Sequence, residues 1–249
     1  MKRDDIINSL KEKSSIKYQQ NVVRMGIPEH NSIGVSTGEV RKLAKKINKL
    51  VTAHEAHKLG LSLWQSGYHE GKLLAVLLVD PFETNEADIE RFMQEVHSWD
   101  LCDHVCKNLI VLQPKFREYI HKWCDDTKTY YKRAAFCLMA ASCVPSSKIQ
   151  LTREDIDDYL HIIRKHADDE RTHVKKAVSW ALREIGKKDA DLLERALTLA
   201  YELHNSASKH ERWIGRHALK ELENLVTVNE RERLISSQTK MGKSAGKPL

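Results

Sequence analysis

Residues 171–187 read Arg171-Thr172-His173-Val174-Lys175-Lys176-Ala177-Val178-Ser179-Trp180-Ala181-Leu182-Arg183-Glu184-Ile185-Gly186-Lys187. At 100° per residue, Val174, Val178, Ala181, Leu182 and Ile185 fall on one stripe, the pattern of an amphipathic helix. Lys176, Trp180, Arg183 and Lys187 fall on the opposite side. A tryptophan among cations is unusual there, because large aromatics normally join the buried face. Either it packs against a neighbouring helix, or it offers an aromatic platform on a basic surface.

The same period extends through nearly the whole chain, and strand-type alternation is almost absent. The pattern predicts helices near 3–13, 15–25, 37–49, 53–66, 69–79, 85–98, 100–112, 115–125, 129–142, 153–167, 171–187, 190–204, 209–225 and 229–236. Gly26-Ile27-Pro28, Asp80-Pro81, Gln113-Pro114 and Val144-Pro145-Ser146-Ser147 punctuate them. Ser36-Thr37-Gly38-Glu39 reads as a capping box, with Ser36 capping the backbone and Glu39 reaching back. A basic residue followed by a small or aliphatic run recurs at Lys72, Arg133, Lys176 and Arg216. The last two intervals, 43 and 40 residues, suit HEAT-type helix pairs. The expected fold is therefore all-α: a HEAT-like repeat helical solenoid with a concave basic face. It spans residues 1–236 as one domain, and 237–249 are expected to be a disordered basic tail.

Composition narrows the function. Lys and Arg total 41 against 35 Asp and Glu, a net charge of +6 in 249 residues. That excess is too small to name a nucleic-acid partner by itself, so placement matters more. No run approaches the roughly 18 uncharged apolar residues of a membrane span. Five cysteines without framework spacing suit reduced thiols and a cytoplasmic location. Cys102, His104 and Cys106 lack a second pair at zinc spacing, and His54-Glu55-Ala56-His57 is not the zinc-protease arrangement. Neither a metal nor another cofactor is expected.

Trp99-Asp100-Leu101-Cys102-Asp103-His104 is the segment densest in chemistry. Leu101, Val105, Leu109 and Leu112 form its core stripe, while Trp99 and Asp103 share the far side one turn apart. Helix-start chemistry explains Asp100 well, as a cap, and Asp103 less well. Arg133 lies among small and apolar residues and needs a partner, either a helix-end carboxylate or a ligand anion. Trp213 sits with Arg216, His217 and Lys220, and the same two readings apply as for Trp180.

From about Ile16 to about Leu225 the chain resembles the AlkD family of HEAT-like-repeat DNA glycosylases. The resemblance rests on Gly34-Val35-Ser36-Thr37-Gly38-Glu39-Val40-Arg41, Ser98-Trp99-Asp100-Leu101-Cys102-Asp103, Lys132-Arg133-Ala134-Ala135 and Val174 through Glu184. It implies a monofunctional enzyme that hydrolyses the N-glycosidic bond of N3- or N7-alkylated purines in duplex DNA. Asp103 takes the catalytic role, Trp99 and Trp180 contact the lesion, and Arg133, Lys176 and Arg183 bind phosphate. The partner implied is double-stranded DNA with alkylated bases, bound by a monomer that associates with the nucleoid. One departure stands out: the family's best-known members carry an aromatic where Met25 stands here. A non-catalytic DNA-binding repeat protein is the alternative, followed by a protein-interaction scaffold with an apolar groove.

Overall fold

The computed structural model describes residues 2–229 and 231–244. Their helices are α1 (Arg3–Lys11), α2 (Ile16–Arg24), α3 (Thr37–Leu50), α4 (Ala53–Trp64), α5 (His69–Val76), α6 (Glu86–Gln94) and α7 (Trp99–Asn108). There follow α8 (Phe116–Cys124), α9 (Thr129–Ser142), α10 (Arg153–Lys165), α11 (Thr172–Gly186), α12 (Ala190–His204), α13 (Lys209–Leu222) and α14 (Lys240–Ser244). The architecture is all-helical, as the period requires. Two compact units divide it, Met1–Pro114 and Lys115–Leu249.

Polar side chains set the helix starts. Thr52 with Glu55, Asn85 with Asp88 and Thr152 with Asp155 form reciprocal capping boxes on α4, α6 and α10. Ser36 caps α3 by accepting the Glu39 amide at 3.3 Å. The expected return bond is replaced: Glu39 takes Lys42 Nζ at 2.6 Å instead, a pair one turn along the same helix.

In the first unit α5 packs against α3, α4 and α7, with Trp64 and Phe92 in ring contact at 4.2 Å in the core. In the second, α9 packs on α8 and α11, and α11, α12 and α13 pack on one another. Gly215 permits the closest of these approaches, since a Cβ there would sit 2.5 Å from the Ala200 carbonyl oxygen. Trp64 and Trp123 are almost completely buried, whereas Trp99 is 42% exposed, and Trp180 and Trp213 are half-buried.

The end of the chain departs from expectation. Among the described residues of 229–236 none is helical: β1 (Leu225–Val226) pairs antiparallel with β2 (Ile235–Ser236), aligning Leu225 with Ser236. Leu225, Val226, Val228 and Leu234 are buried, so tertiary burial outweighs the weak helical pattern there. Of the stretch expected as a basic tail, residues 237–244 are described and include α14, while 245–249 lie outside the described residues.

Candidate functional site: an aromatic and acidic helix start on one unit and a basic aromatic helix on the other

The first unit builds its site from a clamp. Glu70, fully buried at the start of α5, accepts the backbone N–H groups of Ile33, Gly34 and Val35 at 2.9, 2.7 and 3.2 Å. Gly34 has φ +85°, and a Cβ there would lie 2.7 Å from the Ser15 carbonyl oxygen. The motif from Gly34 onward is thus structural: it ties the loop before α3 to α5. Met25 ends α2 and is half-buried.

α5 in turn fixes α7. His69 Nε2 lies 2.8 Å from Asp100 Oδ2, with His69 buried. Burial pushes the Asp100 carboxyl up, but the His69 hydrogen bond and charge outweigh it and hold the group below its ordinary value. Asp100 therefore serves as a helix-to-helix tie from the first turn of α7, whose N-cap residue is Ser98. His104 Nε2 is 3.0 Å from the Leu73 carbonyl. Burial, with Arg41 nearby, lowers its pKa to about 4, so it is neutral at pH 7 and donates to that carbonyl. Leu101, Cys102 and Val105 face the core. On the other side stand exposed Trp99 and half-buried Asp103, one turn apart. A cavity of about 210 Å³ flanks this helix start, lined by Gly26, Ile27, His69, Lys72, Glu95 and Leu101 among others.

In the second unit Arg133 is buried and donates to the His173 carbonyl at 2.6 Å. That partner is a backbone oxygen in the first turn of α11. Next to it, Lys132 pairs with Asp169 at 3.1 Å and Arg171 with the same carboxylate at 2.6 Å. Those two cations hold Asp169 at about 2 against its own burial.

α11 presents the face its wheel implies. Val174, Val178, Ala181, Leu182 and Ile185 are buried, Lys176 is exposed and Trp180 is half-buried. Trp180 Nε1–H donates to Glu184 Oε1 at 3.2 Å. Arg183 is engaged, donating to the Ser179 carbonyl at 3.2 Å and to the Glu221 carboxylate. Trp213 stacks on His217 at 4.8 Å, with Lys175 Nζ 5.2 Å from its ring centre. Lys175 is thus the α11 residue set over its ring.

Cys124, Asp125 and His166 bring possible metal-ligand atoms within 4.8 Å of one another. Lys165 Nζ sits 3.0 Å from both Asp125 oxygens, and burial pushes the Cys124 thiol up. Lys165 thus neutralises the Asp125 carboxylate. The sequence places Lys187 on the face of Trp180 but does not announce its partners Glu184 and Glu221, nor the pairing of Glu184 with Arg233. The spacing of four between Trp180 and Glu184 was the available signal.

The comparisons agree with this architecture. The sequence family described as DNA alkylation repair enzyme matches residues 6–222, while no curated protein matches. Among solved structures, a member of "a new family of proteins related to the HEAT-like repeat DNA glycosylases with affinity for branched DNA structures" superposes with TM-score 0.69. It shares 18% identity over 98% of this chain and 92% of that one. AlkD2 from Streptococcus mutans gives TM-score 0.52 and 22% identity, covering 74% of this chain and 89% of its own. The protein smu.31 from Streptococcus mutans UA159 gives 0.53 and 23%, covering 74% and 91%. These likenesses establish the HEAT-like helical fold.

Proposed function

This chain belongs to the family of DNA alkylation repair enzymes, and we propose that it is a monofunctional glycosylase releasing N3- or N7-alkylated purines from duplex DNA. The observation that carries the reading is on α7: Trp99 is exposed one turn from half-buried Asp103, while Asp100 is tied to His69.

Alkylation at N3 or N7 makes the purine cationic and a good leaving group. The C1′–N bond breaks with its electron pair going to the base, which departs neutral, and the sugar acquires oxocarbenium character. Asp103 stabilises that cation and takes a proton from the water that adds to C1′. Trp99 and Trp180 each offer an indole face for cation–π contact with a cationic nucleotide, worth about 0.5–2 kcal/mol. Lys176, exposed on α11, supplies salt-sensitive phosphate affinity. Arg133 and Arg183 lend charge to the phosphates from positions fixed by their protein bonds. On this reading the protein acts on DNA as a monomer in the cytoplasm. Among the described residues, no helix is long and apolar enough to cross a membrane.

The alternative is a non-catalytic DNA-binding protein. It is favoured by the relative with affinity for branched DNA, which covers 98% of this chain. Incubation with duplex containing 7-methylguanine separates the two: the enzyme releases free base, and the binding protein retains it.

A further inference from the structure

Glu184 is the buried charge of α11, at 7% exposure. Burial pushes its carboxyl up, but Lys187 and Arg233 outweigh that and hold it below the ordinary value. Three donors meet it. Trp180 Nε1–H and Lys187 Nζ reach Oε1 at 3.2 and 3.1 Å, and Arg233 reaches Oε2 at 2.7 Å. Lys187 also pairs with Glu221 of α13, which holds Arg183. Arg233 comes from the segment between β1 and β2, 49 residues along the chain. That segment is anchored in turn, since the Leu234 N–H donates to the Lys187 carbonyl at 2.8 Å.

An indole N–H given to a carboxylate fixes the rotation of the ring. The charged acceptor also polarises the N–H bond and shifts electron density into the π-system. Both effects strengthen the attraction of the ring face for a cation. We infer that Glu184 is a positioning residue that makes Trp180 select a cationic nucleobase over a neutral one of the same shape, with Arg233 and Lys187 holding its carboxylate in place. The inference rests on the glycosylase reading for its ligand, an alkylated base in DNA. It adds a residue with no contact to that base, and it joins the β1–β2 segment to lesion recognition.

The test uses the full chain and two duplexes. One carries a hydrolysis-resistant 2′-fluoro-7-methylguanine nucleotide, whose base is cationic. The other carries 7-methyl-7-deazaguanine, of the same shape and neutral. Wild type should bind the cationic duplex more tightly. Glu184→Gln should lower that preference by about threefold or more, the scale of a weakened cation–π contact, with the neutral duplex bound as before. Arg233→Met should act in the same direction. A preference unchanged in Glu184→Gln overturns the inference, and so does an equal loss for both duplexes, which marks a purely structural role. A wild type without any preference also overturns it. Should Glu184→Gln fail to fold, the ¹⁵N-edited indole resonance of Trp180, assigned through Trp180→Phe, decides. Arg233→Met should move it upfield and leave the other four tryptophans in place; an unmoved resonance counts against the inference. The glycosylase reading fails separately, by absence of base release from ordinary 7-methylguanine DNA.

Discussion

His69 Nε2 and Asp100 Oδ2 stand 2.8 Å apart, and this contact engages the first of the two aspartates in Trp99-Asp100-Leu101-Cys102-Asp103. The first ties α7 to α5. The second, one turn from Trp99, is the carboxylate we propose for the chemistry.

The tie has a pH signature. The folded-state pKa of Asp100 lies below its ordinary value, so its contribution is present above the unfolded pKa of about 3.9 and disappears as pH falls through the folded value. Asp100→Asn should cost about 1–2 kcal/mol near neutrality. It should also flatten the loss of thermal stability in acid relative to wild type, while base release continues. Melting curves from pH 7 down to about 3 check this. Parallel curves for the two proteins would refute the ion-pair role.

Glu70 offers a harsher test of the clamp. Its carboxylate serves three backbone donors, and Glu70→Gln leaves one oxygen to accept while turning an NH₂ towards N–H groups. The expected cost is about 1–3 kcal/mol, the range for a buried donor left unsatisfied. Differential scanning calorimetry measures it, and a variant as stable as wild type would show that the loop before α3 does not depend on this carboxylate.

The wheel of α11 was legible because a helix's own residues decide it: Val174, Val178, Ala181, Leu182 and Ile185 are buried, and Lys176 and Trp180 are not. Trp99 likewise emerged on the exposed side of α7. What stayed hidden depends on partners far along the chain. Asp100 resembles a helix cap until α5 brings His69 to it across 31 residues. Arg133 meets a backbone carbonyl 40 residues away, which no composition announces. Arg233 sits in a segment whose local pattern suits a helix, yet it forms a bend just before β2, beside buried Leu234. Glu39 fits the capping-box spacing and takes a nearer lysine instead.

The two cations of α11 should behave differently. Lys176 is exposed, so Lys176→Ala should weaken duplex binding on all sequences and reduce the slope of log K against log salt by about 0.9. Arg183 is bonded to Glu221 and to the Ser179 carbonyl. Arg183→Ala should therefore lower the melting temperature more visibly than it changes the slope. Binding isotherms at several salt concentrations, with melting curves alongside, separate the pair; identical behaviour of the two variants would contradict the division.

The most direct measurement is base release by wild type and Asp103→Asn from duplex DNA containing 7-methylguanine. Asparagine keeps the size of the side chain and removes the negative charge assigned to the oxocarbenium-like sugar. Wild type should release the free base, and Asp103→Asn should release it about 100-fold more slowly, the scale for losing one preorganised electrostatic group. DNA affinity should be equal or slightly higher in the variant, because an anion has left the neighbourhood of phosphates. Equal release by both proteins would remove Asp103 from the chemistry, and no release by wild type would make this a protein that binds DNA without cutting its glycosidic bonds.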